Sequence, residues 1–359
     1  MEFWNERLAA GVEARSRVLD GTVGIASIGY YVPPGIITSE EISLRSGVPL
    51  NVLVERIGME RKHVAGPDEH PAEMGIRAAA EAVRKSGADP ADIGIIAYCG
   101  AGFYDYRMWS PAARIQDAIG ADDCYTFELR NGCNGGNLGL KVCKDLLLSD
   151  PCKSHALVVC SDKLSLAIDY SDPQTVSLFT VADGSAAALL AKGEPSNRIL
   201  SYASVTDGSM VDFVKVPYGG TRRPSSNGNG RRNGSPGYIS VEDGGGVDLN
   251  FPAEYLENYL RVIKEAVEKS GRRLSEVDHI FTNQVRKGLL EEILGAAGLE
   301  EHDSMFSIGG YGQMGATDTL FCLARSLEEG RIHDRDLVVL ASSATGFTWG
   351  ATVIEFGAG

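Results

Sequence analysis

The chain has 359 residues, 43% of them hydrophobic, with 48 acidic against 34 basic side chains and a net charge of -14. That length and apolar content fill one large fused core or two domains, and the acidic balance argues against nucleic acid or an anionic membrane as main partner. Seven cysteines (Cys99, Cys124, Cys133, Cys143, Cys152, Cys160, Cys322), odd in number and without a CxxC pair, read as the reduced thiols of a cytoplasmic protein, not as a disulfide frame or a metal site.

Residues 1–20 mix Glu, Arg and apolar positions without an unbroken apolar run. They read as a helical extension before the fold, neither signal peptide nor membrane span. Residues 78–85 carry a helical pattern ending at Gly87, where a glycine C-cap belongs. Ile93-Gly-Ile-Ile-Ala-Tyr98 is a buried-strand run. Residues 137–148 predict a helix, and Ala156-Leu-Val-Val-Cys160 a strand. Gly184-Ser-Ala-Ala-Ala-Leu-Leu190 and Gly350-Ala-Thr-Val-Ile-Glu-Phe356 predict one further strand each.

These elements occur twice. Glu81-Ala-Val-Arg-Lys-Ser-Gly87 returns as Glu265-Ala-Val-Glu-Lys-Ser-Gly271, 184 positions on, and the run from Cys133 to Leu157 is echoed from Gln313 to Leu337, 180 positions on. A period near half the chain is too long for a solenoid and predicts two copies of one α/β unit, residues 21–193 and 194–359, with the site where they meet. Residues 218–246 interrupt the second copy. Their Gly, Ser and Asn content predicts a mobile loop. The four arginines in it, Arg222, Arg223, Arg231 and Arg232, suit either a solvated loop or a basic flap gripping phosphate or an acidic carrier protein.

The candidate nucleophile is Cys133, in Asn131-Gly-Cys-Asn-Gly-Gly136. The flanking glycines permit a tight turn into a helix, and a thiol at a helix N-terminus is expected to favour thiolate. Cys143, Cys160 and Cys322 lie in apolar patterns and read as buried core. Gly310-Tyr-Gly312-Gln-Met-Gly315 matches GxGxxG after the strand-like Met305-Phe-Ser-Ile308. A dinucleotide site would need an acidic residue at a strand end about 20 positions further on. Residues 329–334 read as a turn instead, and the repeat makes this segment the counterpart of the Cys133 turn.

Together with Glu55-Arg-Ile-Gly-Met-Glu-Arg61, Val158-Val-Cys-Ser-Asp162, Ala182-Asp-Gly-Ser-Ala186, Tyr311-Gly312 and Gly346-Phe-Thr-Trp-Gly350, these residues resemble the thiolase superfamily, most closely the β-ketoacyl-acyl carrier protein synthase III type. The resemblance spans the chain from about Thr22. It implies a duplicated five-layer αβαβα fold, a homodimer, an acyl thioester on Cys133, and an oxyanion hole of the Cys133 and Thr345 backbone N–H groups. It also exposes departures. Where the family has a catalytic His the chain has Asn283, and where it has Asn the chain has Gln313. Amides do not exchange protons near neutral pH, yet they hydrogen-bond a carbonyl oxygen or an oxyanion. His279 is four residues back along its strand, about 13 Å away at strand rise. Arg56 matches a family arginine near the phosphates. Val52 and Leu166 stand where a Trp and an Arg sandwich adenine in well-known members, which favours a carrier-protein thioester over coenzyme A as donor.

The first expectation is therefore an acyltransferase that loads Cys133 and passes the acyl group to a second acceptor in a specialised polyketide-like pathway, with no resident cofactor. The second is a decarboxylative condensing enzyme in which Asn283 and Gln313 polarise a malonyl thioester. The third is a non-catalytic partner subunit, against which the intact Cys133 turn speaks.

Overall fold

The computed structural model describes residues 21–224, 237–241 and 253–357. The N-terminal extension, Arg231, Arg232 and most of the arginine-bearing loop lie outside the described residues.

The first copy opens with β1 (Val23–Tyr31), a ribbon of β2 (Gly35–Thr38) and β3 (Arg61–Val64) with α1 (Ser39–Ser46) between them, and α2 (Pro71–Ser86). It continues through β4 (Ile93–Tyr98), α3 (Pro111–Ile119), β5 (Tyr125–Glu128), α4 (Gly135–Ser149), β6 (His155–Lys163) and β7 (Asp183–Lys192). The second copy runs β8 (Arg198–Thr206), a short stem of β9 (Val214–Lys215) and β10 (Ser240–Val241), α5 (Ala253–Lys269), β11 (His279–Thr282) and α6 (Lys287–Ala297). It ends with the one-turn α7 (Ile308–Tyr311), α8 (Asp318–Glu328), β12 (Leu337–Ala344) and β13 (Thr348–Glu355). The sequence β1-α2-β4-α4-β6-β7 is thus repeated as β8-α5-β11-α8-β12-β13.

The strands align in the order β11-β12-β13-β8-β1-β7-β6-β4-β5. At the seam β1 and β8 share one register pair, Gly24 with Arg198, so the sheet is two sheets joined at a corner. Helices α4 and α8 lie between them, each touching strands of both halves. Helices α2 and α3 cover the outer face of the first sheet and α5 that of the second, with α6 packed beside α5 in the same apolar cluster. The result is the five-layer αβαβα arrangement that the resemblance implies.

Local chemistry explains the elements. Helix α2 starts at Pro71 with Glu73 in its first turn, and stops at Gly87 in the left-handed region (φ 69). Strands β4, β6, β7 and β12 are buried along almost their whole length, as strands covered on both faces must be. One expectation fails. Residues 305–308 form no strand, because the Gln284 side chain takes their backbone groups: its Nε2 donates to Met305 O at 3.1 Å and its Oε1 accepts from Ile308 N at 3.1 Å. Among the described residues the second sheet accordingly lacks a counterpart of β5.

Candidate active site

Cys133 lies in a single 3-10 turn, Gly132–Asn134, immediately before α4. Gly132 is left-handed (φ 52), and a Cβ there would come within 2.9 Å of Ala344 Cβ. Only glycine lets the turn press this close to the end of β12, where Gly132 also comes up against Thr345 Oγ1. Ser342 Oγ donates to Cys133 O at 2.8 Å and holds the turn in place. Behind it, Asn134 packs on Gly350, where a Cβ would meet both amide atoms of Asn134 at 2.6 Å. The glycine that closes the Gly346–Gly350 motif is therefore a packing requirement of the nucleophile turn.

The other half supplies the two amides. Asn283 follows the last residue of β11 and is buried. Its Oδ1 accepts from Ser343 N at 3.0 Å and from the Tyr259 hydroxyl, and its Nδ2 donates to Ser343 O at 3.1 Å. The carboxamide oxygen is thus committed to the β12 backbone and a phenol. A second Nδ2 proton is the capacity left for a ligand. Gln313 precedes α8 and is tied through its backbone: Gln313 N donates to Thr180 O at 2.8 Å, and Ala182 N donates to Gln313 O at 2.7 Å. These bonds pin the second-half turn to the segment just before β7, and the 3-10 turn Gly315–Thr317 that follows Gln313 packs on the Cys133 turn.

The expected thiolate preference is not what the site provides. Burial pushes the Cys133 thiol well above its ordinary value, reinforced by the carboxylates of Asp318 and Asp162, while its own backbone N–H acts in the other direction. Both carboxyls are fully buried, and burial raises each to about 7. The helix N-terminus is outweighed by desolvation and by two like-signed neighbours.

Several site residues carry no sequence signal. Tyr255 and Tyr259 stand one turn apart on α5, indistinguishable from core aromatics in the sequence. In the structure the Tyr255 hydroxyl bonds Ser343 Oγ, and Tyr259 accepts from Ser343 N at 3.0 Å. Burial raises both phenols, with Cys133 among the contributing charges, so they remain hydrogen-bond donors across the neutral range. Lys62 is fully buried, and burial lowers it to about 7. Its ammonium donates to Phe179 O at 2.8 Å and Val181 O at 2.5 Å, bracing the segment on which Gln313 hangs.

His279 is excluded from the site. It opens β11, with Nε2 3.3 Å from Asp336 Oδ2 and Nδ1 3.3 Å from Asp303 O. Two of the three glycines of the GxGxxG match serve packing: a Cβ on Gly312 (φ 79) would lie 2.6 Å from Thr180 O and 2.7 Å from Lys62 Cβ, and one on Gly315 (φ 65) would lie 2.9 Å from Leu164 Cδ1. Residues 329–336 lead from α8 into β12 without forming a strand, which leaves no place for a ribose-binding acid.

Around the expected entrance, Arg56 is exposed on the turn Val52–Ile57, whose following Gly58 abuts Lys287 at the start of α6. Val52 is 8% exposed, in one apolar cluster with Leu164 and Ile168, whereas Leu166 is 55% exposed. Ala167 O accepts from Ile239 N at 2.8 Å, which seats the stem of the arginine loop beside Leu166. Arg222 and Arg223 are exposed there, Arg223 lying 5.7 Å from the Tyr218 ring centre. All seven cysteines are free, and Cys99, Cys143, Cys160 and Cys322 are buried. No helix among the described residues is long and apolar enough to cross a membrane.

Comparison with known proteins gives a consistent picture. The family described as 3-Oxoacyl-[acyl-carrier-protein (ACP)] synthase III matches residues 127–208, and its C-terminal part matches 267–356. Beta-ketoacyl-[acyl-carrier-protein] synthase III of Natranaerobius thermophilus is 26% identical over 92% of this chain and 98% of its own length. The enzyme of the same name from Sphingopyxis alaskensis is 28% identical over 95% and 99%. Among solved structures, the 3-oxoacyl-[acyl-carrier-protein] synthase III of Aquifex aeolicus superposes with a TM-score of 0.79 at 21% identity, covering 93% of this chain and 100% of that one. The priming β-ketosynthase of the R1128 polyketide pathway superposes at 0.81 and 18% identity, covering 93% and 96%. These two likenesses establish the fold.

Proposed function

The chain belongs to the synthase III-like branch of the thiolase superfamily, and from that premise we propose that it is an acyltransferase working through an acyl thioester on Cys133. The observation that carries the reading is the pairing of an intact Cys133 turn with a neutral amide, Asn283, where the family's proton-transferring His would stand, beside Gln313 in the place of an Asn. In the loading step the Cys133 sulfur attacks the donor thioester carbonyl. The new S–C bond forms as the old one breaks, and the donor thiol leaves with the proton that Cys133 gives up. The backbone N–H groups of Cys133 and Thr345 receive the oxyanion, an arrangement supported by the contact of the Gly132 turn with the end of β12. An acceptor nucleophile then attacks the Cys133 thioester; its bond to the acyl carbon forms as the C–S bond breaks, and its proton returns to the Cys133 sulfur, with the remaining N–H of Asn283 and the amide of Gln313 holding its carbonyl or that of the thioester.

The reading calls for no resident cofactor. Acyl carrier protein is the donor it favours, since neither the buried Val52 nor Leu166 can stack on adenine, and Arg56, Arg222 and Arg223 offer exposed positive charge. The second reading, decarboxylative condensation, is favoured by the names of the curated relatives and by the same two amides, which can polarise a malonyl carbonyl. A homodimer, and the division into copies 21–193 and 194–359, belong to the same proposal.

The test is intact mass and peptide mapping after incubation with acyl-carrier and acyl-coenzyme A thioesters. A single adduct on Cys133, absent from Cys133→Ala, supports acyl transfer, and an adduct on Cys99 or Cys160 instead defeats it. Release of carbon dioxide from malonyl-carrier thioester decides between the two readings: little release keeps transfer first, brisk release promotes condensation.

A further inference from the structure

Two amides from separate loops can serve one acyl group only if their backbones are held in mutual register. Asn283 and Gln313 are 30 positions apart and belong to different elements. The residue after each donates to one and the same side chain: Gln284 N donates to Asp318 Oδ2 at 2.9 Å, and Met314 N to Asp318 Oδ1 at 2.8 Å. Asp318 is the first residue of α8, 0% exposed, and both of its oxygens are engaged in this way.

We propose that Asp318 is a positioning residue of the transfer site, a buried carboxylate that registers the Asn283 and Gln313 loops against each other and against Cys133. The inference rests on the acyl-transfer reading for the role of the amides, while the register itself stands on the two hydrogen bonds. The chemistry requires a carboxylate. Two backbone donors arriving from opposite sides need an acceptor at each oxygen, and of the side chains short enough for this place only Asp offers two. An Asn of the same shape would turn its NH2 against one of the N–H groups and release that loop.

The same carboxylate has a second effect that a purely structural brace would lack. Three titratable groups face it: Cys133 from the turn before α4, Asp162 at the end of β6, and Cys322 one turn along α8. Its negative charge opposes ionisation of the Cys133 thiol, so neutralising it must make that thiol more acidic. Loading and registration are thereby coupled through one residue.

The experiment compares wild type with Asp318→Asn. Cys133 is alkylated with iodoacetamide across a pH series, and acetyl transfer from acetyl-acyl carrier protein to N-acetylcysteamine is followed as the turnover assay. The expected result is an alkylation midpoint displaced to lower pH in the variant. Its kcat for transfer falls at least about tenfold, the scale on which misplaced catalytic groups act, with KM for N-acetylcysteamine little changed. A folded variant with wild-type kcat and an unmoved alkylation profile overturns the proposal. Should the variant not fold, amide hydrogen exchange on the wild-type protein decides. Slow exchange at both Gln284 and Met314 supports the brace, and fast exchange at either one overturns it. Failure of the wild type to form any Cys133 adduct would count against acyl transfer itself, while the alkylation and exchange results would still judge Asp318.

Discussion

The carboxamide of Asn283 grips the backbone of Ser343 from both sides, accepting from its N–H at 3.0 Å and donating to its C=O at 3.1 Å. The amide therefore behaves as a strand-end clip as well as a ligand group. Asn283→Ala should cost about 1–3 kcal/mol in urea unfolding, because it leaves buried backbone groups unpaired. Asn283→His, in contrast, restores a proton acceptor at this position and should keep self-acylation of Cys133. Combined with Gln313→Asn it should gain decarboxylation of malonyl-carrier thioester over the wild type, measured as released carbon dioxide.

Tyr259 sets which way round Asn283 sits. Its oxygen already accepts from Ser343 N, so its own proton goes to Asn283 Oδ1 and the amide nitrogen must face the other way. Tyr259→Phe is expected to lower stability by about 1–2 kcal/mol, the scale of one buried hydrogen bond. The transfer step should slow more than the loading of Cys133. Equal slowing of both half-reactions, read by rapid-quench mass spectrometry, would assign Tyr259 to the nucleophile instead.

Stability should depend on pH in two opposite senses. Asp162 and Asp318, raised to about 7 by burial, hold their protons longer in the folded state. Their stabilising contribution is present below the ordinary carboxylate range and is lost as pH rises from about 4 to 7. Lys62, lowered to about 7 by burial, gives up its proton earlier when folded, so its unfavourable contribution below pH 7 is relieved between about 7 and 10. Urea midpoints taken across pH should show a smaller loss of stability as pH rises from about 4 to 7 in Asp162→Asn and Asp318→Asn than in the wild type. The wild type should gain on Lys62→Met above pH 7, and parallel curves for those two proteins would refute the assignment.

The arginine loop gives a prediction about partners. Replacing Arg222, Arg223, Arg231 and Arg232 together by Ser should lower the carrier-dependent loading rate and flatten its salt dependence, as expected for attraction between a basic patch and an acidic carrier. Loading from coenzyme A thioesters should change less. If the substitutions leave both donors equally active, the arginines are solvated side chains without a binding role.

Much of this architecture is legible in the sequence because the repeat carries it. The return of the Glu81–Gly87 pattern at Glu265 places α2 and α5, and the glycines around Cys133 mark a turn that the close approach to Ala344 explains. What was not legible depends on contacts between distant segments. Nothing local distinguishes Tyr255 and Tyr259 from core aromatics on an amphipathic helix, nor Asp318 from an ordinary acidic helix start. The thiolate expectation for Cys133 failed for the same reason: the helix end is written in the sequence, but the two carboxyls brought beneath it by β6 and α8 are not. The strand expected at residues 305–308 was lost to the side chain of Gln284, a competitor invisible to any local pattern.

The two sheets meet through the single register pair of Gly24 and Arg198, while the nucleophile comes from one copy and the amides with their brace come from the other. On the acyl-transfer reading the reactive centre is a property of the docking between copies, and neither copy holds it alone. A chain in which one half has loosened keeps its thiol and loses the machinery around it. Catalytic competence should then vanish under milder stress than bulk secondary structure, making turnover a more sensitive gauge of correct assembly than any spectroscopic signal.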